Sequence, residues 1–191
     1  PILARGPRFG PGSRKGTLIR YSLDPSLEGC TSVNPYDQQE CLMPIYFYSN
    51  REQPFGCFSN FSTHGFDLDG AWWPTSEHYF QAQKFAGTEH VEAVRRARTP
   101  KEAANMGRER TRPLRPDWEQ VKDDVMRRAV LRKFESHADI REVLLSTGDE
   151  LIVENAPGDY YWGCGTDGSG QNKLGQILME VRAELRRRAA G

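Results

Sequence analysis

Apolar positions recur along most of this chain at helical spacing. Val121, Val125, Ala129 and Phe134, flanked by Met126, Val130 and Leu131, fall on one stripe. They predict the longest helix, opening at Pro116-Asp-Trp-Glu-Gln120 and running to about Phe134. Leu174, Ile177, Leu178, Val181 and Leu185 predict a final amphipathic helix over 174–188, whose Arg186-Arg-Arg188 end suits the negative pole of the helix dipole. Helical patterning also covers 89–97. Another helix begins at Thr99-Pro-Lys-Glu102, where a capping box coincides with proline at the first helical position, and should end near Gly107. A short helix over 140–145 closes at Gly148. The β-prone runs are brief: Ile45-Tyr-Phe-Tyr48 and Leu151-Ile-Val153. The pattern predicts a mainly α fold with a few short strands, in a single globular domain over 45–188. Residues 1–44 form a Gly/Pro/Arg-rich lead-in, partly flexible, and 189–191 a tail.

One predicted helix breaks this pattern. Trp73-Pro-Thr-Ser-Glu-His-Tyr-Phe-Gln-Ala-Gln-Lys-Phe85 starts like a helix: Pro74 interrupts what precedes it, Thr75 or Ser76 can cap, and Glu77 places negative charge in the first turn. Glu77, Gln81 and Lys84 then fall on one face at i, i+4 and i+7. The aromatic residues Tyr79, Phe80 and Phe85 form no clean stripe excluding that face. A carboxylate, an amide and an amine on one side, bordered by rings, could line a pocket. Upstream, Phe55, Phe58 and Phe61 are three apart and read as core, but Asn60 between them must find partners if buried.

Composition narrows the classes. The 191 residues carry 26 basic and 26 acidic side chains, for a net charge of +0. An overall basic nucleic-acid coat is therefore not indicated. Mean hydropathy is −0.70, and no apolar run approaches the ~18–20 residues a membrane helix needs. The first twenty residues lack the apolar segment of a signal peptide. Cys30, Cys41, Cys57 and Cys164 form no C-x-x-C pair, and His64, His78, His90 and His137 no ligand spacing. Free thiols in a reducing compartment are expected, with a Cys30–Cys41 disulfide the alternative. No metal or cofactor is expected, and an intracellular location, cytoplasmic or nuclear. Local positive charge does occur. The first twenty residues hold Arg5, Arg8, Arg14, Lys15 and Arg20 and no acid, and the stretch from Arg95 to Arg115 holds eight basic residues against Glu102 and Glu109. Such runs are commonly solvated faces; the sharper reading gives one or two of these arginines a phosphate.

A second group of residues lies near the C-terminus. Five glycines between Gly163 and Gly175 precede and enter the last helix. Freed backbone N–H groups ahead of a helix N-terminus can cradle an anion, with Asn172 as cap and Lys173 adding charge. The loop is neither a P-loop nor a dinucleotide fingerprint, and a plain cluster of turns is the competing reading. Just upstream, Asp159-Tyr-Tyr-Trp162 sets an acid beside large rings, which offers a shifted pKa and a stacking surface.

Together these segments resemble the NADAR (YbiA-like) family. The resemblance runs through Phe58-Ser-Asn-Phe61, the helix Trp73–Lys84, Gly107-Arg108, Asp117-Trp-Glu119, Val125-Met126, Leu144-Leu-Ser-Thr-Gly148, Asp159-Tyr-Tyr-Trp-Gly163 and Gly170-Gln-Asn-Lys-Leu-Gly175. It covers about 45–188 and leaves the first 44 residues outside. It implies a mainly helical N-glycosidase acting on ribosyl compounds. Some members are described as hydrolases of early riboflavin intermediates, others as enzymes that remove ADP-ribose from guanine in nucleic acid. The expected partner is accordingly an ADP-ribose- or ribose-5-phosphate-bearing substrate, including ADP-ribosylated DNA or RNA.

On that resemblance the residues take roles. Lys84 is the nucleophile, attacking C1′ as a neutral amine and passing through a Schiff base; this requires loss of much of its basicity. Glu77 or Asp159 protonates the leaving base and later activates water. The glycine-rich loop with Gly163 and Asn172, Lys173, or Arg108 takes phosphate. Trp162 and Trp73 stack on a base, and Asn60, with Phe61 beside it, and Gln81 fix ribose hydroxyls or a base edge. The leading expectation is removal of ADP-ribose from guanine. The alternatives are cleavage of riboflavin precursors and a non-catalytic ADP-ribose-binding module.

Overall fold

A computed structural model describes residues 43–191. The basic arm, Cys30 and Cys41 lie outside the described residues. Six helices carry the fold: α1 (Ser76–Gln83), α2 (His90–Arg95), α3 (Pro100–Met106), α4 (Trp118–Ser136), α5 (Ala138–Ser146) and α6 (Lys173–Ala190). Four three-residue strands accompany them: β1 (Ile45–Phe47), β2 (Phe66–Leu68), β3 (Ala71–Trp73) and β4 (Ile152–Glu154).

The two long helices pack on each other as their stripes predict. Val125, Met126, Ala129, Val130 and Phe134 of α4 and Leu174, Ile177, Leu178, Val181 and Leu185 of α6 are buried, while Val121 and Leu131 are only partly covered. Phe58 joins this core through Phe47 and Phe134, with ring centroids 5.6 and 6.1 Å apart. α1 packs against α2, α3 and α4. It is therefore central, surrounded by shorter helices and the long α4.

The two β-prone runs form one parallel pair, with Ile45 opposite Ile152 and Phe47 opposite Glu154. A second, antiparallel pair, β2 with β3, is absent from the sequence-based expectation. Its turn is Asp69-Gly70, both at positive φ (53° and 75°), the conformation a two-residue hairpin requires.

Capping follows the sequence at two helices. Thr75, not Ser76, caps α1: its Oγ1 accepts the His78 N–H at 3.3 Å. Thr99 Oγ1 accepts the Glu102 N–H at 3.1 Å, and Glu102 reaches back to the Arg98 N–H at 2.9 Å. Inside the fold, Lys133 is fully buried. Its Nζ donates to the Cys57 carbonyl at 2.8 Å and the Ser59 carbonyl at 3.2 Å, tying α4 to the chain just before Asn60. Burial lowers its pKa from 10.5 to about 8.

Candidate active site

α1 is buried from Ser76 through Ala82, although four of those seven residues are polar. A polar helix at the centre of a domain must satisfy its side chains locally, and most of this one does. His78 sits between the Thr75 hydroxyl (2.8 Å) and the Ala97 carbonyl (3.1 Å), and burial lowers its pKa, keeping the ring neutral. Gln81 Nε2 donates to Glu77 Oε1 at 2.7 Å. Tyr79 points the other way, donating to Asp69 at 2.8 Å.

The Glu77–Gln81–Lys84 face opens into a cavity of about 320 Å³. Phe80 of the same helix forms part of its wall. Ser59, Asn60 and Phe61 line it from the loop after β1; the Asn60 carbonyl accepts the Glu77 N–H, which fixes that loop to the start of α1. Arg108 follows α3, Met126 comes from α4, Glu154 ends β4, and Asp159 and Trp162 come from the loop before α6. Trp162 packs edge-on against Phe80 at 5.2 Å. Three buried side-chain oxygens of this lining have no hydrogen-bond partner among the described residues: Asn60 Oδ1, Gln81 Oε1 and Glu154 Oε2. Oxygens in that state favour a ligand that brings donors.

The cavity disfavours charge on its own groups. Lys84 Nζ donates to the Gly107 carbonyl at 3.2 Å and lies 5.5 and 5.7 Å from the Phe80 and Trp118 ring centroids. Burial lowers its pKa; Glu77 opposes this, while Arg108 and Arg110 reinforce it. Burial raises the pKa of Glu77, against the pull of Gln81, Lys84 and Arg108. Glu77 and Lys84 thus each shift toward the neutral form, and no direct ion pair between them is seen among the described residues; desolvation outweighs their attraction. Glu154 is raised as well, to about 8, by burial first and then by the charges of Asp159 and Glu77. Asp159 Oδ1 accepts the Tyr161 and Trp162 N–H groups at 2.9 and 2.8 Å, which holds the loop in place.

Lys84, Glu77, Asp159, Asn60, Phe61, Gln81, Arg108 and Trp162 therefore share one cavity. Four other residues expected there do not. Trp73 is a core residue: 2% exposed, its indole N–H donates to the Leu68 carbonyl and its ring packs on Tyr79. Gly163 is held where it is by packing, since a Cβ there would lie 2.8 Å from that of Ala156. The glycine-rich loop closes on its own chain, and seven of its N–H groups are already used. Cys164, Gly165, Gly170, Gln171, Asn172, Lys173 and Leu174 all donate to backbone carbonyls of 154–164. Asn172 does not cap α6. At φ 51° its side chain instead accepts the Glu154 N–H and donates to the Ile152 carbonyl, bracing β4. Lys173 faces Asp123, 3.5 Å away, outside the cavity.

Sequence reasoning missed Ser59, Phe80, Met126 and, above all, Glu154. Its signal was a carboxylate placed where an apolar β run gives way to Asn-Ala-Pro-Gly, but nothing local says which face of so short a strand is inward. A larger cleft of about 440 Å³, between α4 and α6, is lined mainly by arginine–glutamate pairs and holds none of the expected site residues.

This arrangement can be set beside known proteins. Residues 46–186 match the NADAR domain family. A protein named N-glycosidase from Nostoc punctiforme is 56% identical over 147 residues, 75% of this chain and 94% of that protein. N-glycosidase YbiA of Escherichia coli is 50% identical over 141 residues, 74% and 88% of the two chains. The NMR structure of the E. coli protein YbiA superimposes with a TM-score of 0.73 at 48% sequence identity, covering 78% of this chain and 88% of that one. The chloroplastic riboflavin biosynthesis protein PYRR of Zea mays is 39% identical over 176 residues, 84% of this chain but 28% of that longer protein. The chain belongs to the NADAR family. No helix among the described residues is long and apolar enough to cross a membrane.

Proposed function

We propose that this protein is an N-glycosidase that breaks the bond between ribose C1′ and a nitrogen heterocycle. One observation carries this reading: Lys84 and Glu77, a desolvated amine and a desolvated carboxyl, open into the same cavity without pairing. An amine that is partly neutral can attack C1′, and a carboxyl that is partly protonated can serve proton transfer. The Nostoc punctiforme and Escherichia coli relatives carry the name N-glycosidase, which agrees with this chemistry. In the proposed reaction the Lys84 amine displaces the heterocycle, the ribose ring opens to an imine, and water releases the sugar. Asn60 and Gln81 offer their unpaired oxygens to ribose hydroxyls, and the Trp162–Phe80 wall meets the base.

For the substrate, the reading favoured is ADP-ribose attached to guanine in DNA or RNA. Arg108 lines the cavity and neither it nor Arg110 makes an ion pair among the described residues, so the rim can meet more than one phosphate. The second reading is a riboflavin precursor carrying ribose 5-phosphate. It is favoured by the size of the cavity, about 320 Å³, which suits one ribose and one heterocycle, and by the name of the maize relative. The deciding assay incubates the protein with ADP-ribosylated guanine oligonucleotide and, separately, with the ribosylamino-pyrimidine phosphate. Release of base from the oligonucleotide alone supports the first reading; release from the pyrimidine alone replaces it with the second. Binding of ADP-ribose with cleavage of neither makes the protein a reader and overturns the N-glycosidase. Borohydride added during turnover should trap the sugar on Lys84; robust turnover with no adduct would mean direct attack by water.

A further inference from the structure

Three carboxyl groups line the cavity, and the reaction needs one that still holds a proton at neutral pH. Their surroundings separate them. Asp159 Oδ1 already accepts two backbone N–H groups, and its part is to hold the turn that carries Trp162. Glu77, although burial and Asp159 also raise its pKa, has partners for its charged form: Oε1 accepts the Gln81 amide, and the positive charges of Lys84 and Arg108 act on it. Glu154 Oε2 is buried and has no partner among the described residues. The charged groups acting on it are Asp159 from its own loop and Glu77 from α1, both negative, while Lys84 and Arg108 act on Glu77 instead. Such a carboxyl keeps its proton, because ionising it would place a negative charge, with no donor among the described residues to receive it, beside two other acidic groups in a desolvated wall. The backbone of Glu154 is also fixed on both sides. Its N–H donates to Asn172 Oδ1 and its carbonyl accepts the Cys164 N–H, each at 2.9 Å.

Resting on the N-glycosidase reading, we propose that Glu154 is the proton donor to the departing heterocycle. The Lys84 lone pair forms the Nζ–C1′ bond as the C1′–N bond breaks. The electrons of the broken bond leave with the heterocycle nitrogen, which takes the Glu154 proton. The Glu154 carboxylate then removes a proton from the positively charged Nζ and returns it to O4′ as the ring opens to the protonated imine. Water adds to C1′, its proton passes to a cavity carboxylate, and the sugar departs from neutral Lys84. The net change is one water consumed and one C1′–N bond cleaved.

This places the alkaline limb of the pH profile on a group whose pKa is raised to about 8, by burial and by its two acidic neighbours. The rate should therefore fall as pH rises through that value. The test compares the wild type with Glu154→Gln and Glu154→Asp on whichever of the two N-ribosides the wild type cleaves, from pH 6 to 9.5. Glu154→Gln keeps the shape and loses the proton; kcat should drop by roughly 10²–10⁴-fold and the fall above pH 8 should vanish from the residual activity. Glu154→Asp should recover part of the rate and restore the fall. Glu154→Gln that keeps its rate within fivefold, or that slows but retains the same alkaline limb, overturns the assignment and leaves the N-glycosidase standing. A wild type that cleaves neither N-riboside removes the assignment together with the reading on which it rests.

Discussion

Gly107 supplies a test of how tightly the cavity is built. Its backbone (φ −70°, ψ −12°) is ordinary helical geometry, so nothing in the dihedral angles demands glycine. By chain entropy alone, Gly107→Ala would stabilise the protein by about 0.4–1 kcal/mol. The structure predicts the opposite sign. An added Cβ would overlap Gln81 Oε1 outright, 2.7 Å from Cδ and 3.0 Å from Cβ of the same residue. Gln81 is 6% exposed and has little room to swing. The bond from Gln81 to Glu77 must break, or α1 and α3 must part. Losing a hydrogen bond to a buried carboxyl costs about 1.5–3 kcal/mol, and overpacking about 1–3 kcal/mol. Against the entropic gain, the expected net destabilisation is about 1–3 kcal/mol. Glu77 would lose its anchor, and kcat should fall roughly 10- to 100-fold. The assay is urea unfolding and steady-state turnover in a double-mutant cycle with Gln81→Ala. In the Gln81→Ala background most of the clash is gone, and Gly107→Ala should become nearly neutral, giving a coupling of about 1–2 kcal/mol. Strict additivity, or a stabilising Gly107→Ala in the wild type, would refute the reasoning.

Lys84→Arg retains positive charge but removes the nucleophilic amine, so turnover should fall by roughly three orders of magnitude or more; near-normal kcat would end the covalent route. Lys133, lowered from 10.5 to about 8, binds its proton less well folded than unfolded. Its charged form is penalised below pH 8, and stability should rise by about 3 kcal/mol as pH rises from 8 to 10.5. In urea titrations Lys133→Met should lose that rise, and parallel pH profiles would contradict it. Asn172→Ala breaks both bonds to β4 and leaves a non-glycine residue at φ 51°, for a loss of about 2–4 kcal/mol in chemical denaturation. Lys173→Ala removes only a half-exposed pair with Asp123; it should move stability by less than about 1 kcal/mol and leave kcat within about twofold, which a phosphate-binding role would not allow.

The fold was legible where periodicity is the whole signal. α4 and α6 bury most of the residues their stripes name, and the Thr99 box starts α3 where a capping box should. The β2–β3 hairpin was missed although Asp69-Gly70 is a strong turn signal, because three-residue strands leave no alternation to notice. In the site, α1 was legible because it is wrong for an ordinary surface helix: its polar face is one a solvated helix could carry, yet rings occupy its other sides.

The misplaced residues share a different cause. A glycine-rich run ahead of a helix is the same sequence whether its N–H groups greet an anion or close on their own chain. Here the loop donates to carbonyls of 154–164, and Asn172 and Gly175 sit against β4. That closure is what delivers Asp159, Trp162 and Glu154 to the face of α1. The loop's contribution to chemistry is thus positional, and its glycines serve close packing. Charge was legible only in part: the lowered basicity asked of Lys84 is met by burial. Sequence offered two acids and an amine; burial adds Glu154 and raises both it and Glu77 above the ordinary carboxyl pKa. Of the three phosphate ligands the sequence offered, the loop, Lys173 and Arg108, Arg108 alone lines the cavity, which is why phosphate is proposed there. Glu154 and Lys84 stand on separate elements of that cavity, one on β4 and one at the end of α1. Moving either should therefore alter the chemistry without unfolding the other's support.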